Sequence, residues 1–411
     1  MNSKCSLLAA ILAGLVGALN PIFAQTWIPA ANAPLTNWSS IASSADGTRL
    51  VAAAGLITAQ PVWSHINPAA PIYVSTNAGA TWTNTTAPIS TWQSVASSAD
   101  GTRLAAVSAY GLVFTSTDGG VTWVSNNAPM GTAWDAVTSS ADGTKLAIAG
   151  SGSGIYFSPD GGVNWWLSDA PTAAWGWTSL ASSADGTRMV AAQPGDYQNV
   201  PADGSVYIST NAGMNWTLTT APAAKWFSVA SSADGSRLVA ASFHTNTGSE
   251  PGLVYLSTDA GLTWAPGGAP PEYWNSVASS ADGSKLVAAG NGALYTSADF
   301  GATWTPCSVP YLYWRSVASS ADGSRLAGVA NQVYLSASSP TPWLNSTLTG
   351  GNLMLSWTLP ATNLVLQQNS DLATANWTNV TANATLTTTT LQYQVTIPLT
   401  NTQCFYRLES R

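Results

Sequence analysis

The chain has 411 residues, enough for more than one folding unit; only 8% are charged, while Trp occurs 20 times. So many large aromatics exclude a disordered chain, and a net charge of −7 excludes a surface that attracts nucleic-acid phosphates.

In chain order, Lys4 precedes an apolar run from Leu7 to Leu19 and then Pro21-Ile22-Phe23-Ala24, which reads as a signal peptide over residues 1-24. The run is too short for a comfortable bilayer span, and no later segment holds about 18 uninterrupted apolar residues. The expectation is a secreted protein, extracellular or periplasmic, with no membrane span. Cys5 leaves with the signal. Cys307 and Cys404 allow either one disulfide or two unpaired buried thiols.

From residue 25 a phrase of the form Trp-x-Ser-Val-Ala-Ser-Ser-Ala-Asp-Gly-Thr-Arg-Leu recurs seven times. Its aspartates are Asp46, Asp100, Asp142, Asp185, Asp234, Asp282 and Asp322, and its tryptophans Trp38, Trp92, Trp134, Trp177, Trp226, Trp274 and Trp314. Spacings of 40 to 54 residues suit one four-stranded blade per repeat. In the second repeat the expected strands are Ser94 to Ser97, Arg103 to Val107, Leu112 to Ser116 and Val121 to Ser125, with turn residues at each reversal. Small Ser and Ala residues on each first strand let seven copies crowd around an axis.

A second phrase, Ser116-Thr117-Asp118-Gly119-Gly120-Val121-Thr122-Trp123, is echoed around Asp160, Asp259 and Asp299, with Asn77 and Asn211 in place of the aspartate in two further copies. In each, Ser and Asp are expected to bond the backbone of a hairpin turn, Gly to take a positive φ and Trp to pack over it, so Asp118, Asp160, Asp259 and Asp299 read as structural. The seventh copy is broken at Ser336-Ala337-Ser338-Ser339-Pro340, yet Thr26-Trp27 supplies its missing ending. The chain's start is therefore expected to complete the last blade and to remove an open sheet edge.

This phrase resembles the Asp-box, or BNR, repeat of sialidases, sortilin-type receptors, certain xyloglucan hydrolases and photosystem assembly factors. The resemblance covers residues 25-340 and implies an all-β, seven-bladed β-propeller; it speaks weakly to function, because one fold hosts many activities. Residues 341-411 leave the repeat and alternate in short strands, Leu353 to Trp357, Leu364 to Gln368, Trp377 to Val380, Gln392 to Ile397 and Cys404 to Leu408. They look like a small immunoglobulin- or fibronectin-like β-sandwich.

Blade topology puts the Asp-Gly turns and the boxes on one face, and the loops between second and third strands and between blades on the other. Arg49, Arg103, Lys145, Arg188, Arg237, Lys285 and Arg325 follow the turns and read as a solvated structural ring. The loop face carries the irregularities, where binding resides on repeat scaffolds. Three insertions bear Trp63 and His65, then Asp196, Tyr197 and Asp203, then His244 and Glu250. Trp175, Glu272, Tyr273, Tyr311 and Tyr313 come from inter-blade loops, and Arg315 is a non-repeat cation beside them. Exposed aromatics beside carboxylates and amides suit sugars or a protein partner; the bland reading has each aromatic filling a seam between blades.

The arginine cluster of a sialidase is absent. Asp135, Asp169, Asp196, Asp203, Glu250 and Glu272 map to the loop face or near it, which keeps a two-carboxylate glycoside hydrolase as the alternative. His65 and His244 stand in separate insertions without a third ligand, so neither a metal nor a cofactor is expected. The expected function is a monomeric, non-catalytic binding or scaffold protein for an extracellular glycan or protein.

Overall fold

The computed structural model describes residues 26–336, apart from 55–68, 130–132, 173–174, 197–203 and 245–249, and the strands between 345 and 410. The signal segment, Trp63, His65, Tyr197, Asp203 and Cys404 lie outside the described residues. Among the described residues every regular element is a strand, and no helix is long and apolar enough to cross a membrane. The larger of two compact units is Ile22–Ala337, and the smaller contains Ser338–Arg411.

The larger unit holds seven four-stranded antiparallel sheets among its described residues. In the second, Trp92–Ser97, Leu104–Ser108, Val113–Ser116 and Val124–Ser125 follow one another across the sheet. The second strand, Leu-Ala-Ala-Val-Ser, is buried along its whole length because both faces are covered, which is why its residues are small or β-branched. The fourth strand is two exposed residues, shorter than the Val121 to Ser125 expectation, since the box occupies the first part of that stretch. The seventh sheet takes its outer strand from the chain's start: Trp27–Pro29 pairs antiparallel with Val333–Ser336, Trp27 opposite Ser336.

Two sets of bonds link the sheets around the axis. The N–H of the alanine before each turn aspartate donates to the same carbonyl in the next sheet, Ala45 to Ala99, then Ala141, Ala184, Ala233, Ala281, Ala321 and back to Ala45, each bond 2.7 Å long. This circle closes after seven members. Deeper in the first strands, the Oγ of Ser40 accepts Val95 N–H at 3.1 Å, and Ser94, Ser179, Ser228, Ser276 and Ser316 accept the equivalent amides at 3.0–3.3 Å. The seventh position of this second set is Ala136, which has no hydroxyl to offer Leu180. Between neighbouring sheets lie seven apolar clusters, each containing one repeat tryptophan that is 0% exposed. Each tryptophan meets the aromatic ring of its own third strand edge-on, as Trp92 does Phe114 at 5.8 Å.

In the turns, Ser98 Oγ donates to Asp100 at 2.6 Å and Thr102 N–H to the same carboxylate at 2.9 Å. These bonds, serine's first, hold Asp46, Asp100, Asp142, Asp185, Asp234 and Asp322 at about 2, below the usual 3.8. The basic ring differs from the solvated ring expected. The stem of Arg49 lies over Gly101 of the next turn, so close that a Cβ there would stand 2.6 Å from Arg49 Cδ; the same pairing repeats around the circle and ends with Arg325 over Gly47. Long cationic stems cover apolar surface while their heads reach water or a carbonyl, as Lys285 Nζ reaches Asp322 O at 2.8 Å.

The smaller unit has two antiparallel sheets, one of Asn345–Thr349, Asn352–Thr358, Gln392–Pro398 and Thr385–Thr387, the other of Thr378–Asn379, Leu364–Asn369 and Phe405–Ser410. Leu355 and Val395 of the first share a core with Leu366 of the second, so the sheets pack face to face. Asn345–Thr349 and Thr385–Thr387 are strands that the sequence reading missed, because their Thr- and Asn-rich residues carry little alternation.

Candidate binding face

At the loop-face end of each first strand stands Trp-x-Ser, or Trp134-Asp135-Ala136 in the third blade. At x the pairing with the second strand slips by one residue, between Trp92 and Ser94 and likewise in other blades. The residue at the slip is the variable member of an otherwise repeated phrase: Ser39, Gln93, Asp135, Thr178, Phe227, Asn275 and Arg315. Thr178 Oγ1 donates to Trp226 O at 2.9 Å, and Asn275 Nδ2 to Trp314 O at 3.0 Å, so these side chains reach the next blade's innermost strand.

Several sequence-derived candidates come together as an arc over the fourth to seventh blades. Lys225, only 2% exposed, donates to the backbone carbonyl of Asp196 and stands opposite His244 across the strand pair. Burial pushes the His244 imidazole below its usual range, the Glu250 backbone bond opposes this, and Lys225 adds to it. The His244 ring meets Tyr273 at 5.3 Å, and Phe243 meets both. Glu272 pairs with Gly252 and accepts Tyr273 N–H at 2.8 Å. Asn291 N–H donates to Tyr273 O at 3.2 Å, and Asn291 pairs in turn with Tyr313. The arc ends at Arg315, whose guanidinium lies 4.8 Å from the centre of the Tyr313 ring.

Tyr311 and Tyr313, 85% and 41% exposed, stand out of the arc and do not fill seams. Trp175, 46% exposed, belongs elsewhere: its neighbour Gly176 leaves no room for a Cβ beside Ser151, whose Oγ donates to Asp135 at 2.7 Å. Asp169, expected on or near the loop face, lies against a box instead. It accepts Trp216 N–H at 2.7 Å and Asn215 Nδ2 at 2.8 Å, so it braces the box of the fourth blade, where Asn211 replaces the aspartate. Asn275, Asn291 and Phe243 were missed as candidates. For Asn275 the signal lay in the variable x of the repeat.

No family model matches the chain, and no curated protein does. Solved structures do. A GH74 xyloglucanase from Xanthomonas campestris is 15% identical with a TM-score of 0.57, over 81% of this chain and 59% of that one, so the chain spans little more than half of the enzyme. YCF48 from Cyanidioschyzon merolae is 14% identical, TM-score 0.55, over 75% and 98%, and Kuenenia stuttgartiensis hydrazine synthase 15% identical, TM-score 0.56, over 74% and 96%. The larger unit is a β-propeller. Identities this low carry the fold and nothing of the activity.

On the other face of the propeller, Asp118 accepts Thr122 N–H at 2.9 Å, Thr122 Oγ1 at 2.6 Å and Ser116 Oγ at 2.8 Å, and Trp123 Nε1 donates to Gly120 O at 3.2 Å. Asp160, Asp259 and Asp299 repeat the pattern. The residue after each box Asp or Asn is left-handed, and at Ala78, Ala212, Ala260 and Phe300 it is not glycine. Shallow crevices on this face recur at blade seams, one lined by Arg49, Leu50, Ser75 and Gly119, and their periodicity marks them as part of the scaffold. Among the described residues no three His, Cys, Asp or Glu side chains gather as a metal site. Cys307 has no disulfide partner among the described residues, and burial pushes its thiol up.

Proposed function

We propose that the protein is a non-catalytic, extracellular recognition propeller that binds a glycan or a protein through its loop face. The observation that carries this reading is the contrast at Trp-x-Ser: a phrase repeated around the ring varies at x, on the face where Tyr311, Tyr313 and Trp175 are exposed. Two carboxylates there are engaged by their own chain, Glu272 with Tyr273 N–H and Asp135 with Ser151. The fold does not choose, since structures that share it include a xyloglucanase and YCF48 bound to D1 peptide.

A glycan array and an extracellular-protein display, each probed with wild type, Tyr311→Ala, Trp175→Ala and the box variant Asp160→Ala, test the reading. Loss of about 1–2 kcal/mol of binding in a loop-face variant alone supports it. Sugar released from xyloglucan or β-glucan and abolished by removing Glu250 and Glu272 replaces it with the hydrolase.

A further inference from the structure

Arg315 is the remaining question on the loop face. Every other propeller cation among the described residues either stacks on a neighbouring turn or, as Lys225, donates to a backbone carbonyl. Among the described residues Arg315 has no carboxylate partner; its guanidinium lies over the face of Tyr313, and burial pushes it below the usual arginine range. A desolvated cation without a counter-charge costs stability, and such a cost is kept where a ligand supplies the missing anion.

The surroundings are rigid and of mixed chemistry. Asn275 Nδ2 donates to Asn291 Oδ1 at 2.8 Å and to Trp314 O, and Asn275 Oδ1 is buried with no partner among the described residues. Gly292 N–H donates to Leu312 O at 2.9 Å. The Tyr311 ring lies where a Cβ on Gly292 would be, and φ of 103° at Gly292 independently disfavours any other residue. A flat, exposed aromatic is thereby pinned beside the corner that holds Arg315.

We infer that this corner is a subsite for a carboxylate-bearing sugar: Tyr311 stacks on a sugar face, Arg315 pairs with its carboxylate, and the Asn275–Asn291 pair lies beside its hydroxyls. This deepens the glycan branch of the proposed function and rests on it. The net charge of −7 opposes a polyanion, so the structure assigns a neutral polysaccharide with isolated uronic-acid branches over a polyuronate. A planar guanidinium pairs with a carboxylate through two bonds, whereas an acidic peptide would have no use for the exposed ring face.

The probes are glucuronoxylan, the same polymer with its carboxyl groups reduced, polygalacturonate and a Glu-rich peptide, measured by calorimetry on the full chain. Wild type binds glucuronoxylan at least tenfold more tightly than the reduced polymer or polygalacturonate, about the effect of one charge-assisted bond pair. Arg315→Met and Arg315→Gln abolish that tenfold difference while the melting temperature holds or rises, because an uncompensated cation has been removed. A melting temperature that falls with the carboxylate preference intact makes Arg315 structural and overturns the inference, as does tighter binding of polygalacturonate or the peptide. If wild type ignores these polymers but binds another ligand in a Tyr311- or Trp175-dependent way, the subsite falls and the loop-face reading stands. If no loop-face variant alters binding of any ligand, both fall.

Discussion

The set of hydroxyl links between first strands predicts opposite outcomes for one chemical exchange at two equivalent positions. In Ser228→Ala the Val277 amide loses its 3.0 Å acceptor between buried strands, and an orphaned buried donor costs about 1–3 kcal/mol. The reverse exchange, Ala136→Ser, places a hydroxyl where the other six blades have one, within reach of Leu180 N–H. Its gain is that of a net hydrogen bond, about 0.5–1 kcal/mol, at the low end because the existing links run from 3.0 to 3.3 Å. Urea unfolding followed by the fluorescence of the buried tryptophans reads both, with the midpoint lowered in one variant and raised in the other at unchanged slope. A lowered midpoint for Ala136→Ser, or an unmoved one for Ser228→Ala, would refute the idea that these links join the blades.

Acid should weaken the propeller. Asp46, Asp100, Asp142, Asp185, Asp234, Asp322, Asp118 and Asp259 titrate near 2 when folded and near 3.8 when unfolded, and Asp282 is lowered in the same direction, so their contribution is complete above about 4 and drains away as pH falls through 2. A melting temperature equal at pH 4.5 and 2.5 would count against it. Asp160→Ala removes bonds from Ser158 and from Asn164 N–H and Nδ2 and should cost roughly 1–2 kcal/mol, with loop-face binding unaffected. Gly119→Ala, left-handed with the tip of Arg49 at 3.1 Å and Gly101 O at 3.6 Å from its Cβ, should lose about 1 kcal/mol, whereas Ala212→Gly at the matching position should be neutral or gain up to about 1; calorimetric melts decide both.

The blades were legible because their signals are local and repeated. Trp92 eight residues before Asp100, an Asp-Gly turn and a box ending in Trp123 each announce themselves within a few residues, and Thr26-Trp27 could be matched to the broken seventh box by its residues alone. What stayed hidden needs three dimensions. The alanine circle uses backbone groups, which no residue type betrays, and Asp169 reads as a loop carboxylate until its bonds to Asn215 and Trp216 are seen. Arg49 looks like a free surface charge until the turn of the next blade is set beneath it. The site was half legible: the sequence singles out Tyr311, Tyr313 and Arg315 as irregular, but only the fold joins them through Asn291 to Tyr273 and His244.

The clasp of Trp27–Pro29 on Val333–Ser336 sets an order of events during synthesis. The strand that finishes the ring emerges first and must wait for the last blade, so no intermediate on the way has a closed circle. Through that interval the edge at Val333–Ser336 is open, and the corresponding strand from a second nascent copy fits it as well as the chain's own. Refolding at rising protein concentration is therefore expected to shift closure from one chain's own first strand to exchange of first strands between copies, which light scattering would read.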